Sequence, residues 1–320
     1  MYRIMVPLDG SAFAEQALPL AVAIARRTGA QLHVITVRAS YPIETELNEG
    51  NNYVREVAAQ IQSQLPEPII AQAITNELAA LHYHPPESSL VSTILASHAE
   101  EQQIDLILMT THGRGGLQRS WLGSVTDSLT RTASCPLLVA RPTEQPFSLA
   151  APADRGLNHI LIPLDGSPAA EQAISEARQL GDPFDARYTL LRVISPLAQL
   201  TVGTDLYPIE YTAPRSRKAA VQYLDTVAAR LRHEGLAVDT RVVEDTSPAP
   251  AILSYASAHA ADLIALTTTG VGGIRRFLLG SVADKLVRSG NVPTLLCTVR
   301  PGQAQDTGVA ALAAAASDAS

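Results

Sequence analysis

Residues 4–18 read IMVPLDGSAFAEQAL and residues 160–174 read ILIPLDGSPAAEQAI, with ten of fifteen positions identical. A second block behaves the same way. Residues 115–131 (GGLQRSWLGSVTDSLTR) and 272–288 (GGIRRFLLGSVADKLVR) agree at ten of seventeen positions. The offsets between copies are 156 and 157 residues. A period this long marks two duplicated domains in tandem rather than a solenoid. The stretches between the blocks diverge widely, so the shared blocks are where a shared task would reside.

Each block sits at the junction of a strand pattern and a helix pattern. Tyr2–Leu8 is an apolar run that stops at the turn Asp9-Gly10-Ser11. Ala14, Ala17, Leu18, Ala21, Val22 and Ala25 then recur at three-and-four spacing through 12–28, one buried helical face. Pro19 conflicts with a continuous helix and should kink it. Gly29 is placed to end it in the left-handed conformation. In the second copy Ser167 is a cap, Pro168 suits the first helical position and Gly181 closes the helix. Further strands are expected at 31–37 and 186–194, 105–111 and 262–268, 137–140 and 294–299, and 237–244. The third strand of the first copy is open between IIAQAIT (69–75) and LAALHYH (78–84). Strands alternating with helices imply two doubly wound, five-stranded parallel α/β sheets. The expected boundaries are domains at 1–142 and 158–301, a Pro/Ala/Ser-rich linker at 143–157, and a disordered Ala-rich tail at 302–320.

Composition narrows the function classes. The chain has 320 residues, a net charge of −7 and 46% hydrophobic residues. Neither half carries a basic stripe, which argues against nucleic acid as a partner. No apolar run reaches membrane-spanning length, and no signal sequence precedes the first strand pattern. Cys135 and Cys297, read as near-equivalent positions in the last strands, form no dense framework, so the expectation is a reducing cytoplasm.

Ligands of an open parallel sheet bind outside the carboxyl ends of the strands, where the strand order reverses. Thr110-Thr111-His112-Gly113, nine residues and Gly123-Ser124 recur as Thr267-Thr268-Thr269-Gly270, nine residues and Gly280-Ser281. The glycines allow a phosphate close to the backbone, and the amides opening the following helix form an anion site, with Ser124 read as its cap. Arg114 and Arg119 add charge in the first copy. Asp9 and Asp165, acceptors at a strand end, suit a base amine or ribose hydroxyl better than a phosphate. The bland alternative makes the Gly-Ser pair a helix cap and Asp9 a turn residue. Recurrence at 104 and 105 residues from aspartate to glycine weighs against it.

These motifs closely resemble the universal stress protein family, over both repeats and all but the linker and tail. The resemblance implies adenine nucleotide alpha hydrolase-like domains that bind ATP, ADP or AMP, with Mg²⁺ able to enter on the phosphates. It places Asp9 and Val37 at adenine, and Pro7 and Thr110 by the ribose. Gly113, Gly123, Ser124 and Val125 hold phosphates, with Ser11 and Arg114 added to this site. The second set is Asp165, Val193, Pro163, Thr267, Gly270, Gly280, Ser281 and Val282, with Ser167. It also implies pairing of the last strands, here within one chain as a pseudo-dimer, with a homodimer of chains left open. The chain departs from the family pattern at Thr110 and Thr267, where a glycine is usual. Thr269 and Val271 stand where the first copy has His112 and Arg114, so the first copy is expected to bind more tightly.

Other constellations are set aside. P-loop, dinucleotide and nucleophile-elbow motifs are absent. His82, His84 and Glu87 are a weak metal candidate, and His98 and His259 are read as solvent-facing. Asp127 and Asp284, near a helix start, are dipole partners rather than general bases. Slow ATP hydrolysis and a nucleotide-free docking module remain the competing functions.

Overall fold

The computed structural model describes residues 1–38, 44–75, 87–111, 122–142, 156–195, 213–268 and 279–298. In the first half the strands are β1 (Arg3–Leu8), β2 (Gln31–Arg38), β3 (Ile70–Thr75), β4 (Leu106–Thr110) and β5 (Leu137–Ala140). In the second half they are β6 (His159–Pro163), β7 (Arg187–Ile194), β8 (Val238–Glu244), β9 (Leu263–Thr267) and β10 (Thr294–Cys297). The helices are α1 (Ala12–Glu15), α2 (Leu18–Thr28), α3 (Glu44–Ile61), α4 (Glu87–Glu101) and α5 (Ser124–Thr132), then α6 (Pro168–Gly181), α7 (Ala213–His233), α8 (Pro248–Ala258) and α9 (Ser281–Ser289).

All ten strands form one sheet in the order β3-β2-β1-β4-β5-β10-β9-β6-β7-β8. Every neighbouring pair is parallel except β5 with β10, which run antiparallel with Leu138 opposite Leu295. The expected pseudo-dimer is therefore a continuous sheet with its seam in the middle. The antiparallel seam also points the carboxyl ends of the two halves' strands in opposite directions.

Strand alternation assigns side chains to two layers that each run across the seam. Ile4, Val6, Leu106, Leu108, Leu138, Leu295, Ile160 and Ile162 share one apolar layer with α2, α3, α6 and α7. Met5, Ile107, Leu137, Val139, Leu161, Ile264 and Leu296 share the other with α4, α5, α8 and α9. Strands covered on both faces read as continuous apolar runs, which explains LILMT and LIALT. Leu157, assigned to the linker, is buried in the first of these layers.

The open choice for the third strand resolves to Ile70–Thr75, while LAALHYH, the tail, most of the linker, His82 and His84 lie outside the described residues. Pro19 does more than kink its helix. It splits the segment, with Ala17 capping α2 and Pro19 in its first turn. Gly29 is left-handed as expected, at φ 68°.

Gly181 closes its helix as expected, but by another conformation. It ends α6 in the right-handed region, and a short 3-10 turn follows before Asp185 takes the left-handed position. Asp185, 156 residues after Gly29, is thus its counterpart. The absence of a side chain at Gly181 serves packing instead. A Cβ there would lie 2.5 Å from both Ile160 Cδ1 and the Tyr188 hydroxyl. His98 requires a correction, since it is buried on α4, whereas His259 is exposed. The two cysteines are not equivalent. Cys297 ends β10 opposite Thr267, the register place that Ala140 holds opposite Thr110, and Cys135 precedes β5. Both are unpaired and buried, and burial pushes the Cys135 thiol up to about 12.

Candidate functional site

The site is assembled where β1 and β4 lie side by side, with β2 beyond β1 and β5 beyond β4. Chain connections leave this junction in opposite directions, the reversal point at which open sheets leave a crevice. The second half repeats it at β6 and β9. Because the seam is antiparallel, the two crevices open at opposite edges of the common sheet.

Asp9 follows β1. Its Oδ1 accepts the Ser11 amide at 2.9 Å and the Ser11 hydroxyl at 2.6 Å. Ser11 Oγ in turn accepts the Ala14 amide at 3.2 Å, capping α1. Asp165, Ser167 and Ala170 repeat the same three bonds at 2.9, 2.6 and 3.1 Å. Aspartate and serine therefore build the turn, and Ser11 and Ser167 are held in place as caps. Gly10 and Gly166 sit at φ 86° and 88°, a conformation that disfavours any side chain.

The second component is the start of α5. The Gly123 amide donates to the Thr111 carbonyl at 2.7 Å, and the Thr126 hydroxyl donates to the Thr110 carbonyl at 3.2 Å. The Gly280 amide donates to the Thr268 carbonyl at 2.7 Å in the same way. The helix start is thereby fastened to the end of β4. Only glycine fits this closure. A Cβ on Gly123 would stand 2.8 Å from the Thr111 carbonyl oxygen.

This geometry corrects the reading of Ser124 as a cap, and Ser281 behaves in the same way. Gly123 and Gly280 occupy the capping position without a side-chain bond, and the serines are the first helical residues. The opening amides of a helix have no acceptor within it and carry the positive end of its dipole.

Each site residue named from the sequence falls as follows. Pro7 and Pro163, near the ends of β1 and β6, are half-buried. Val37 and Val193, near the ends of β2 and β7, pack against the layer that holds α5 and α9. Thr110 and Thr267 end β4 and β9 and are buried. Asp9, Ser11, Gly123, Ser124 and Val125 therefore lie on strand ends or helix starts at one edge, as do Asp165, Ser167, Gly280, Ser281 and Val282 at the other. Gly113, Arg114, Arg119 and Gly270 lie outside the described residues.

Sequence reading missed the Thr111 and Thr268 carbonyls, which anchor the helix starts through backbone atoms and so leave no side-chain signature. It also missed Arg192. Its guanidinium lies over the Tyr223 ring at 5.2 Å and fills the space above Gly166 that a Cβ would need.

Asp127 and Asp284 are occupied by arginines. Asp127 pairs with Arg131 at 2.6 Å and with Arg288 of the other half at 3.3 Å, and Asp284 pairs with Arg288 at 2.7 Å. Carboxylates held this way serve the helix starts and the seam. Among the described residues, no cluster of three or more His, Cys, Asp or Glu is arranged to hold a metal ion. No helix there is long and apolar enough to cross a membrane.

Comparison with known proteins agrees with this architecture. The universal stress protein family model matches residues 1–141 and again 156–298. A universal stress protein of Methanocaldococcus jannaschii is 30% identical over 139 residues, covering 43% of this chain and 79% of that one. One from Mycobacterium tuberculosis is 27% identical over 197 residues, 61% of this chain and 62% of its own length. The chain thus spans less than two thirds of the mycobacterial relative. Among solved structures, a universal stress protein from Archaeoglobus fulgidus superimposes with a TM-score of 0.60 at 16% identity, covering 93% of this chain and 98% of that one. At that identity the likeness speaks to fold alone. The chain belongs to the universal stress protein family, carrying two of its domains in tandem.

Proposed function

We propose that each half binds one adenine nucleotide, ATP, ADP or AMP, and that the protein responds to occupancy as a regulator rather than turning nucleotide over. One observation carries this reading. Both halves fasten a glycine-capped helix start to a strand end beside an aspartate-serine turn, with matching bond lengths. The closure holds the free opening amides of the helix beside that turn, where an anion would sit. Asp9, Ser11, Pro7, Val37 and Thr110 would meet the nucleoside, while Gly123, Ser124 and Val125, with Gly113 and Arg114, would meet the phosphates and any Mg²⁺ they bring. Asp165, Ser167, Pro163, Val193, Thr267, Gly270, Gly280, Ser281 and Val282 would do so in the second half. A cytoplasmic location is part of this reading, supported by two unpaired, buried cysteines. Regulation is favoured over hydrolysis because Asp127 and Asp284 are committed to arginines rather than poised as bases.

The test begins with heat-denatured protein, whose released small molecules are identified by chromatography. Titration of nucleotide-free protein with ATP should then show two equivalents. Gly123→Ala and Gly280→Ala should each weaken one of them tenfold or more. No released nucleotide, together with no calorimetric heat and no thermal shift at millimolar ATP, would reject the reading in favour of a docking module.

A further inference from the structure

At the amino ends of the strands, opposite the first crevice, lies a group that the nucleotide reading does not use. His33 on β2 is 2% exposed, and neither of its ring nitrogens has a hydrogen-bond partner. His98 on α4 is 8% exposed, and its Nε2 has none either. Strand alternation puts His33 on the same face as Ile35, which shares its apolar layer with Leu95 and Ala99 of α4, and His98 bears electrostatically on His33.

The surroundings oppose a proton. From β1, Arg3 adds a positive charge; its guanidinium donates to the Gln102 carbonyl at 2.7 Å and to the Gln103 side chain at 3.2 Å. The register neighbours of His33 on β1 and β3 are Met5 and Ile70. Glu101, on α4 itself, favours a charge on His98 but is outweighed by burial. Burial, His98 and Arg3 together hold the His33 imidazole down to about 4.

The second half resolves the same place differently. Thr189 occupies the register position of His33, and its hydroxyl meets Nε2 of buried His159 at 2.8 Å. Burial lowers the pKa of this ring too, but the His259 carbonyl at its Nδ1, 3.1 Å away, offsets part of that and both nitrogens are bonded. Tyr255 stands where His98 does and stacks on exposed His259 at 3.9 Å.

We propose that His33 and His98 form an acid-sensitive latch, holding α4 against the sheet only while both rings are neutral, and that the second half lacks it. A buried imidazole with no acceptor has nothing to stabilise its charge, so a proton is taken up by opening. The stability the neutral ring carries is complete above the ordinary histidine range. It is lost as pH falls from 6.5 towards about 4, because the open form binds more protons. Ser92 of α4 meets Ser128 of α5 at 2.6 Å. Release of α4 therefore reaches the helix whose start, on the nucleotide reading, holds phosphate.

Regional hydrogen exchange of the whole protein, corrected for intrinsic rates, tests this. Between pH 6.5 and about 4.5, protection of residues 90–101 and 31–38 should fall on the order of tenfold to a hundredfold more than protection of residues 248–258 and 187–194. His33→Thr, and His33→Thr with His98→Tyr, install the second half's residues and should remove that difference. The wild-type measurement stands even if a variant misfolds. Parallel loss in both halves, or an unchanged difference in a folded His33→Thr protein, overturns the latch. Exchange needs no nucleotide, so a failed nucleotide reading leaves this test intact. If nucleotide binds, acid should weaken the first site more than the second.

Discussion

The two halves agree at the carboxyl ends of their strands and disagree at the amino ends. At the carboxyl ends the aspartate-serine turn and the glycine closure repeat to within 0.1 Å (3.2 and 3.1 Å for the serine-capped amide, 2.7 Å for both closures). At the amino ends Arg3 and His33 are replaced by His159 and Thr189, and an unpaired buried ring becomes a bonded one. The helix after the turn is broken by Pro19 in one half and continuous behind Pro168 in the other. Packing can be satisfied in more than one way and has drifted. The aspartate-serine turn and the glycine closure have not.

The comparison is broken most severely at the seam. Leu138 and Leu295 face each other across β5 and β10, fully buried in the layer both halves share. Leu138→Asp places an unpaired charge there and should cost about 4 kcal/mol or more. Urea unfolding should then show two separated transitions where the parent shows one. A single transition within about 1 kcal/mol of the parent would mean that the halves are not held through this strand pair.

A smaller effect separates two glycines that look alike in sequence. Gly181→Ala drives a methyl into Ile160 and Tyr188 and should cost about 1–3 kcal/mol in the second half. Gly29→Ala meets nothing within 4 Å, and its penalty comes only from φ 68°, about 1 kcal/mol. Asp185→Gly should return a similar amount, because Asp185 holds the same left-handed place at φ 54°. Equal costs for the two alanine variants would contradict the packing role given to Gly181.

Most of this architecture was legible because strands buried on both faces announce themselves. LILMT and LIALT, and the repeat around PLDGS, marked the order of elements and the strand ends at which the candidate site is proposed. Three features were hidden for physical reasons. The closures use carbonyls of Thr111 and Thr268, so no side chain marks them. Ser124 looks like a cap because serine usually is one, but the close approach to Thr111 reserves that position for glycine. His98 looks solvent-facing in the sequence, and only the tertiary fold shows that it is buried. The seam was expected from the family resemblance rather than from the residues, since a short apolar strand does not declare its partner.

The smallest expected effect concerns an asymmetry in the seam's charges. Arg288 reaches across to Asp127, while among the described residues Arg131 pairs within its own helix and forms no bridge to Asp284. These side chains are about a third exposed, so solvent and salt screen them. Arg288→Gln should therefore cost no more than about 1 kcal/mol in low salt, and the difference should shrink as salt rises. Arg131→Gln removes only an exposed pair along one helix and should cost less, about 0.3–0.5 kcal/mol. Denaturant midpoints of both variants at two salt concentrations decide the matter. If Arg131→Gln proves the costlier, the cross-seam bridge contributes nothing, and the halves are joined by their strands and apolar layers alone.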